Sequence, residues 1–424
     1  MTPDAANAVH ASHTPQHGEA SLRAERIIGY CTNVHAGATL EQTQSNLKQH
    51  ALAVKTIVSP HHPMSIGLWL SARAARELHE GDSLKQFRAW LDEIGLNVFT
   101  LNGFPCGDFH EPIVKHRVYQ PTWAEPARLA YTLDLVNILA ALLPDGEEGS
   151  ISTLPIGWPP ESARQSETES LLASSAAQLV QVADACAQLE AETGRVIHLD
   201  LEPEPGCILQ RSEDVIGFFE KHVASHEQDR DLRRYLRVCH DICHAAVMFE
   251  DQAELFDRYD HAGIRVGKVQ VSSAVRVRFE AMDESQRHTA FDQLRAFSEQ
   301  RYLHQTVIRP PDERATPLFY EDLSAALDAE PPRGEWRVHF HVPIFLGEFG
   351  HLESTRDQIV RCLWLLRDRA EVRHFEVETY AWDVLPESMR SGPLAEGIAR
   401  EMQWLRDRFA QPPASGNGAH GDES

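Results

Sequence analysis

Residues 196–206, with the sequence VIHLDLEPEPG, limit the fold more than any other stretch of the chain. Apolar and polar residues alternate here, and successive side chains of a strand point to opposite faces. One face of the predicted strand is therefore aliphatic, while the other face carries His198, Asp200 and Glu202. The two prolines that follow cannot donate ladder hydrogen bonds, so the strand ends with Glu202 on its polar face.

Four later segments show the same one-sided alternation, and helical sequence separates most of them. Parallel strands covered by helices on both sides should be apolar on both faces. One-sided strands separated by helices are typical of a closed barrel, because the apolar faces meet the outer helices and the polar faces line the lumen. We therefore predict an α/β fold, a (β/α)8 TIM barrel. The four segments are residues 237–245, 266–275, 337–344 and 373–383.

The predicted barrel covers residues 25–410 as a single domain, with disordered segments at residues 1–24 and 411–424. Barrels of this type need a minimum of about 250 residues, and the chain is longer than this minimum. Nine candidate strands compete for eight places, and we expect residues 337–344 to lie outside the barrel. The prediction thus includes an insertion before the last strand, with irregular structure over residues 276–335 apart from a helix around residues 284–298.

A long segment after the third strand, residues 106–126, is predicted to be either a lid or a packed surface excursion. Its polar side chains, and those near the ends of other strands, are candidates for contact with a substrate. The aromatic ring just after the last strand is a candidate for stacking on a ring-shaped substrate. The candidate substrate contacts are His35, Asn102, Asp108, His110 and Trp382.

Charge and cysteine usage restrict the partners and the compartment. The formal charge of −23 repels nucleic-acid backbones and anionic lipid surfaces, so we expect no nucleic-acid partner. No apolar run reaches the roughly 20 residues that span a bilayer, so we expect no direct membrane insertion. The seven cysteines are scattered and include no CxxC pair, which favours reduced thiols and a cytoplasmic location.

The carboxyl ends of the predicted strands supply a candidate metal site, because barrel enzymes build their sites there. Several buried carboxylates at one mouth repel one another unless a cation lies between them. Oxygen ligands favour Mn²⁺ or Mg²⁺, while more nitrogen ligands, or ligation by Cys239 and Cys243, would favour Zn²⁺. The candidate residues are Glu202, Asp241, Gln270 and Glu378, with His244 and His341 nearby.

An alternative interpretation makes the same acids purely structural. Glu202 and Glu378 would then form ion pairs inside the lumen with basic side chains. The candidate basic partners are Lys268, Arg237 and Arg337.

The order of these residues resembles the metal-binding set of the xylose isomerase-like barrels. In this set a glutamate is followed by an aspartate with a histidine three residues later, a polar ligand and a final glutamate. That superfamily includes isomerases and epimerases of sugars and sugar phosphates, and an apurinic endonuclease branch. The segments LNGFPCGDFH, HLDLEPEPG, VCHDICHAAV and VETYAWDVLP resemble, more narrowly, the bacterial EboE family of metabolite-traffic proteins.

The resemblance implies roles for single residues. It implies that Glu202 and Glu378 bind the metal and exchange protons with substrate, and that Asp241 is a further ligand. It implies that His244 contacts metal or substrate. Epimerases of this class commonly carry a histidine on the seventh strand, where this chain has Gln270. Either Gln270 is a weak ligand, or His341 takes this place from the later segment.

Three functions remain open at this stage. The first is an isomerase or epimerase of a polyhydroxylated sugar or cyclitol that works through a metal-stabilised enediolate. The second is a metal-dependent hydrolase of a phosphorylated metabolite, with Arg117, Arg276 or Arg309 as phosphate contacts. The third is a non-catalytic barrel that binds a metabolite. In each case the partner is a small polyhydroxylated metabolite, and a homo-oligomer is a further expectation.

Overall fold

The protein is described by a computed structural model that covers residues 26–160, 165–226, 231–312, 314–390 and 392–410. The predicted disordered segments at 1–24 and 411–424 lie outside these described residues. Within them, two sheets are present, one parallel and one antiparallel.

Eight parallel strands form the first sheet, and it closes into a barrel. Each strand pairs with its neighbour in parallel register, and a bridge between Cys31 and Gly67 links the first strand to the second. The predicted TIM barrel is confirmed. The barrel strands are β1 Ile27–Tyr30, β2 Met64–Trp69, β3 Leu96–Asn102, β4 Gly149–Thr153, β5 Ile197–Leu201, β6 Leu236–Asp241, β7 Val266–Val271 and, last in the chain, β14 His374–Val377.

Helices surround the barrel and bury the aliphatic faces of its strands. Thr39 opens the first helix with a capping box that includes Gln42, and Gly95 ends the fourth helix at a φ of 69°. Around the barrel lie α1 Leu40–Asn46, α2 Leu52–Val58, α3 Ala72–Leu78, α4 Ser83–Ile94, α5 Pro126–Leu142, α6 Gln165–Thr193, α7 Ser212–Phe218, α8 Ile242–Val247, α9 Gln252–His261, α12 Arg356–Leu366 and α13 Leu394–Ala410. Across the parts of the chain that the structure describes, no helix combines the length and the apolar character of a membrane span.

The second sheet lies in the insertion between β7 and β14. Its strands are β8 Val275–Arg278, β9 Thr306–Arg309, β10 Leu318–Tyr320, β11 Glu335–Val338, β12 Glu348–Phe349 and β13 Leu352–Ser354, paired antiparallel in the order β10-β9-β11-β8-β13-β12. The insertion also carries α10 Glu284–Arg295 and α11 Leu323–Ala329.

Two predictions are resolved by this sheet. The expectation of irregular structure over most of residues 276–335 is wrong, because VRVR at 275–278 alternates with buried valines and pairs with β11. The helix expected around residues 284–298 is present as α10. The segment 337–344 does lie outside the barrel, as predicted. Only its first two residues belong to a strand, however, and residues 339–344 continue as irregular chain over the mouth.

A layer of paired acidic and basic side chains lies in the lumen below the carboxyl ends of the strands. Lys268 of β7 lies 2.5 Å from Glu376 of β14, and His198 lies 2.6 Å from Asp200 on β5. Gly67 makes room for this layer, since a Cβ atom there would lie 1.3 Å from the Glu376 carboxylate. The polar faces of the strands therefore point inward, as the alternation predicts.

Candidate metal centre

Three buried carboxylates converge at the mouth of the barrel. Glu202 directly follows β5, Asp241 ends β6, and Glu378 directly follows β14. One carboxylate oxygen of each lies within 4.8 Å of those of the other two. We call Glu202, Asp241 and Glu378 the mouth carboxylates.

The basic side chains of the alternative interpretation pair with other acids. Lys268 pairs with Glu376, Arg237 with Glu148 at 2.5 Å, and Arg337 with Glu335 at 2.7 Å. Among the described residues, no lysine or arginine forms an ion pair with any of the mouth carboxylates. The structure therefore does not support structural ion pairs as the role of Glu202 and Glu378.

Burial and mutual repulsion disfavour three negative charges at this place. Burial, followed by the charge of Glu378, raises the pKa of Glu202 well above its usual value. Burial, followed by the charge of Asp241, raises the pKa of Glu378 to about 8. Burial also raises the pKa of Asp241. Metal-free protein therefore holds protons here that a divalent cation would displace.

The oxygens of the mouth carboxylates differ in their hydrogen bonding. Asn33 and Asn102 donate hydrogen bonds to Oε1 of Glu378 at 2.8 and 2.9 Å. Oε2 of Glu202 and Oδ2 of Asp241 are buried without a hydrogen-bond partner within the described chain. Buried, unpartnered carboxylate oxygens are suited to a cation that the chain itself does not provide.

Gln270 and His341 both lie beside this group, so the structure keeps both candidates for the remaining ligand. Gln270 is fully buried in register between Asp241 and Glu376, and neither amide atom has a hydrogen-bond partner in the described residues. Nδ1 of His341 lies 2.7 Å from the backbone oxygen of Glu378. That contact fixes the proton on Nδ1 and leaves the lone pair on Nε2, 3.9 Å from Oδ2 of Asp241.

His244 faces the same mouth from the first turn of α8. Its backbone N–H donates to Oδ1 of Asp241 at 2.8 Å, which places the ring beside the group. Nδ1 lies 2.8 Å from the backbone oxygen of Pro203, and Nε2 lies 3.1 Å from Nε2 of His339. Nε2 of His244 is therefore the atom available to a metal or substrate.

A cavity opens above these groups. Its outer wall is largely aromatic. Its floor carries two of the mouth carboxylates together with histidines and amides. The aromatic residues are Phe104, Phe109, Tyr119, Tyr302 and Tyr380, and the polar ones include Asn33, Asn102, Glu202, Glu204, His244, His339, His341 and Glu378.

Of the predicted substrate contacts, only Asn102 lines this cavity. The ring of His35 stacks on His50, with Nε2 3.1 Å from the Tyr30 hydroxyl. The indole Nε1 of Trp382 lies 3.4 Å from Glu401 of α13, because this ring packs against that helix. Asp108 and His110 also lie outside the lining, the former exposed and the latter beside Trp69. The structure does not bring these four residues to the mouth.

Several lining residues were not among the predicted site residues. Glu204 is one of them; it is buried and accepts a hydrogen bond from Tyr119 at 2.7 Å. His339 is another, and its Nε2 lies 3.1 Å from Nε2 of His244. The HxH spacing of His339 and His341 was the signal for this, since both face the mouth. The tyrosines come from loops whose docking no local pattern reveals.

The segment 106–126 covers the cavity and packs on the insertion. Backbone N–H groups of Val114 and Lys115 donate to the backbone oxygen of Arg301, and the Lys115 ammonium lies 2.5 Å from Asp322. The segment is thus held as a cover over the mouth.

No protein-family model matches the sequence, and no curated protein matches it. The solved structures similar to this chain are barrels. One is a xylose isomerase-like TIM barrel protein from Mycobacterium smegmatis in complex with magnesium, with a TM-score of 0.50 at 10% identity, covering 91% of this chain and 96% of that one.

Two further barrels show lower scores. A xylose isomerase domain protein from Alicyclobacillus acidocaldarius has a TM-score of 0.41 at 13% identity, covering 90% of this chain and 98% of that one. The IOLI protein with a bound zinc atom has a TM-score of 0.43 at 13% identity, covering 91% and 98%. At these identities the likeness concerns the fold alone. The chain has the fold of the xylose isomerase-like TIM barrels.

Proposed function

We propose that this protein is a metal-dependent isomerase or epimerase of a small polyhydroxylated metabolite, a sugar or cyclitol. The observation that carries the proposal is the convergence of the mouth carboxylates within 4.8 Å, with no lysine or arginine of the described chain paired to them. A cation from outside the chain would stabilise the ionised form of a buried group of this kind. The magnesium and zinc bound by two similar barrels are consistent with this choice.

The donor set fits a divalent cation. Glu202, Asp241 and Glu378 supply oxygens, and Gln270 or Nε2 of His341 completes the set. A bound divalent cation would supply Lewis-acid polarisation and a template for adjacent substrate oxygens.

Proton transfer is assigned to two side chains of the chain itself. Glu202 lines the cavity, so the carboxylate oxygen that does not hold the cation can remove a proton from a substrate carbon. Glu378 is fixed by two asparagine amides, so its second oxygen keeps one orientation and can return a proton from another side. His244 orients substrate through Nε2.

The phosphatase-like alternative is less well supported. Arg117 pairs with Glu111, Arg276 with Glu353 and Asp357, and none of the three proposed phosphate contacts lines the cavity. Arg309 instead lies over the ring of Phe249. Lys115 is the only lysine or arginine in the lining among the described residues, and it is paired with Asp322.

The narrower proposals rest on the sequence. The resemblance to the EboE family depends on the four quoted segments and places the metabolite in a secondary-metabolite traffic pathway. A cytoplasmic location and a homo-oligomer are likewise proposed from the sequence. All seven cysteines are free thiols in the structure, in keeping with the reducing compartment that this location implies.

The direct test is exchange of substrate hydrogen with deuterated solvent. Wild-type protein loaded with Mn²⁺ or Zn²⁺ is incubated with a panel of ketoses, aldoses and ketocyclitols, and deuterium uptake is followed by NMR. We expect uptake with wild type and with Glu348→Gln, an exposed acid on β12. We expect none with Glu202→Gln or Glu378→Gln. Binding of a panel member without any uptake would favour the non-catalytic barrel and contradict the proposal.

A further inference from the structure

We propose that the substrate is an uncharged amphipathic molecule, with a hydroxylated end at the mouth carboxylates and an apolar arm, aromatic or aliphatic, beyond it. This inference rests on the proposed function in taking the cavity as the substrate site, and it narrows the class of substrate. The apolar arm would lie against one side of the cavity, which we call the apolar wall. The apolar wall consists of Phe109, Val118, Tyr119, Tyr302, Leu303 and Tyr380.

The polar and the apolar lining residues come from different parts of the chain. The polar ones, among them Glu202, Glu378 and His341, lie near the carboxyl ends of the barrel strands or in residues 339–341. The apolar wall comes from the segment 106–126, from the insertion and from Tyr380 after the last strand. The cavity therefore has one polar end and one apolar side, and a ligand that fills it has to be divided in the same way.

The hydroxyl groups of two wall tyrosines are already bound within the chain. The hydroxyl of Tyr119 donates to Oε1 of Glu204 at 2.7 Å and accepts from the amide of Gln305 at 2.9 Å. The hydroxyl of Tyr302 donates to the backbone oxygen of Phe109 at 3.2 Å. These two rings therefore offer carbon surface to a ligand, while their polar atoms face the protein.

The apolar wall begins directly beside the mouth. The ring centroids of Phe109, Tyr302 and Tyr380 lie 5.0, 5.1 and 5.3 Å apart, so the three rings form one packed surface. The ring of Tyr380 lies 4.6 Å from that of His341, whose Nε2 is 3.9 Å from Oδ2 of Asp241. Apolar ligand surface gains from burial against such rings, whereas a hydroxyl group there would lose its hydrogen bonds to water.

The charges of the lining disfavour an anionic arm. Lys115 is the only lysine or arginine among the described lining residues, and its ammonium lies 2.5 Å from Asp322. The other ionisable groups of the lining include Glu202, Glu204 and Glu378, which repel an anion when they are ionised. A phosphate or carboxylate on the arm would thus be buried without a cationic partner, and we infer that the arm carries none.

Three probes with the same head group test this inference. 2-Hydroxyacetophenone, dihydroxyacetone and dihydroxyacetone phosphate all carry adjacent carbonyl and hydroxyl oxygens, but their arms are a phenyl, a hydroxymethyl and a phosphate ester. Protein loaded with Zn²⁺ is freed of excess metal by gel filtration, and binding is measured by isothermal titration calorimetry. We expect the phenyl probe to bind about tenfold or more tightly than dihydroxyacetone, since each buried CH₂ group strengthens binding about fourfold. Dihydroxyacetone phosphate should bind least.

A variant of the wall separates the arm from the head group. Val118→Asn places an amide at a partly buried wall position, and it should weaken binding of the phenyl probe about tenfold while leaving dihydroxyacetone unaffected. The matched control is Val360→Asn on α12, where the side chain is 43% exposed, and it should bind both probes like the wild type. Circular dichroism verifies folding, and Leu303→Asn serves as the wall variant should Val118→Asn be unfolded.

The outcomes distinguish this inference from the proposed function. Equal affinities for the phenyl and hydroxymethyl probes, no binding of the phenyl probe, or tightest binding of the phosphate would overturn the amphipathic substrate. So would an unchanged affinity for the phenyl probe in the wall variant. Deuterium uptake into the same probes tests the proposed function separately: tight binding of the phenyl probe without uptake into any probe would contradict the isomerase and leave the amphipathic ligand standing.

Discussion

Two layers of the barrel lumen lie two residues apart along the same strands. They differ in whether their buried acids have basic partners. In the lower layer Glu376 is paired with Lys268, and Asp200 with His198. In the mouth, Glu378 comes two residues after Glu376, and Glu202 two residues after Asp200. Neither has a basic partner there. In the lower layer the chain itself supplies a basic partner for each acid, Lys268 for Glu376 and His198 for Asp200, whereas Glu202 and Glu378 at the mouth have none.

The ammonium group of Lys268 in the lower layer stays charged although it is buried. Burial alone would lower the pKa of its ammonium, but the carboxylate of Glu376 and nearby thiols outweigh this effect, and the pKa is raised. The ammonium thus remains protonated while fully buried. In the register of the sheet, Gln270 takes the next inward position of β7 and brings no charge to the mouth.

The largest expected effect removes the cation of the lower layer. Lys268→Met leaves Glu376 buried without a partner and should lower the free energy of unfolding by about 3–5 kcal/mol. Chemical denaturation followed by circular dichroism measures the change. The double variant with Glu376→Leu should recover most of the loss, because no buried charge is left. An unchanged free energy of unfolding in Lys268→Met would show that the two layers do not differ.

A second prediction adds the missing cation to the mouth. Zn²⁺ or Mn²⁺ at 100 times its dissociation constant should stabilise the wild type by about 2.7 kcal/mol, since it binds the folded state. The midpoint of thermal unfolding should rise accordingly. Glu202→Gln and Glu378→Gln should show little of this rise, while Glu348→Gln should match the wild type. Equal rises in all four proteins would place the cation elsewhere.

The sequence reveals the part of this contrast that depends on local strand geometry. It does not reveal the part that depends on contacts between distant segments. Alternation at residues 196–206 predicted the inward faces and the barrel, because strand geometry is local. The strand ends predicted Glu202, Asp241 and Glu378 as neighbours, because parallel strands end at one rim. The structure brings these three together, as the pattern indicates.

Contacts between distant segments could not be predicted from the sequence pattern. Lys268 lies on the same inward face as Glu202 in the sequence pattern, and only the register of β7 with β14 pairs it with Glu376. Trp382 follows the last strand, but its ring packs against α13 instead of facing the cavity. The packing of residues 106–126 on the insertion depends on loop geometry. Loops have no sequence periodicity from which this packing could be predicted.

A buried acid away from the mouth, Glu401, separates the effect of burial on a carboxyl pKa from the effect of neighbouring acids. Glu401 of α13 accepts hydrogen bonds from Thr379 and the backbone of Ile344, and burial raises the pKa of its carboxyl to about 7. Because the folded pKa exceeds the unfolded value of about 4.3, its contribution is present below that value and is lost as pH rises through 7. Between pH 5 and 8, Glu401→Gln should reduce the fall in unfolding free energy by about 2 kcal/mol. An unchanged pH profile would show that this carboxyl is not protonated in the folded state.

The smallest expected effect concerns the mouth without metal. Glu378→Gln removes one of three crowded acids, and its amide oxygen can still accept the hydrogen bonds of Asn33 and Asn102. In chelator-treated protein at pH 8 this variant should be more stable than wild type by about 1 kcal/mol, since like charges at close range destabilise the fold. Added Zn²⁺ should reverse the order, because only the wild type then gains from binding. A variant that is less stable than wild type without metal would mean that the mouth, like the lower layer, is already balanced by the chain.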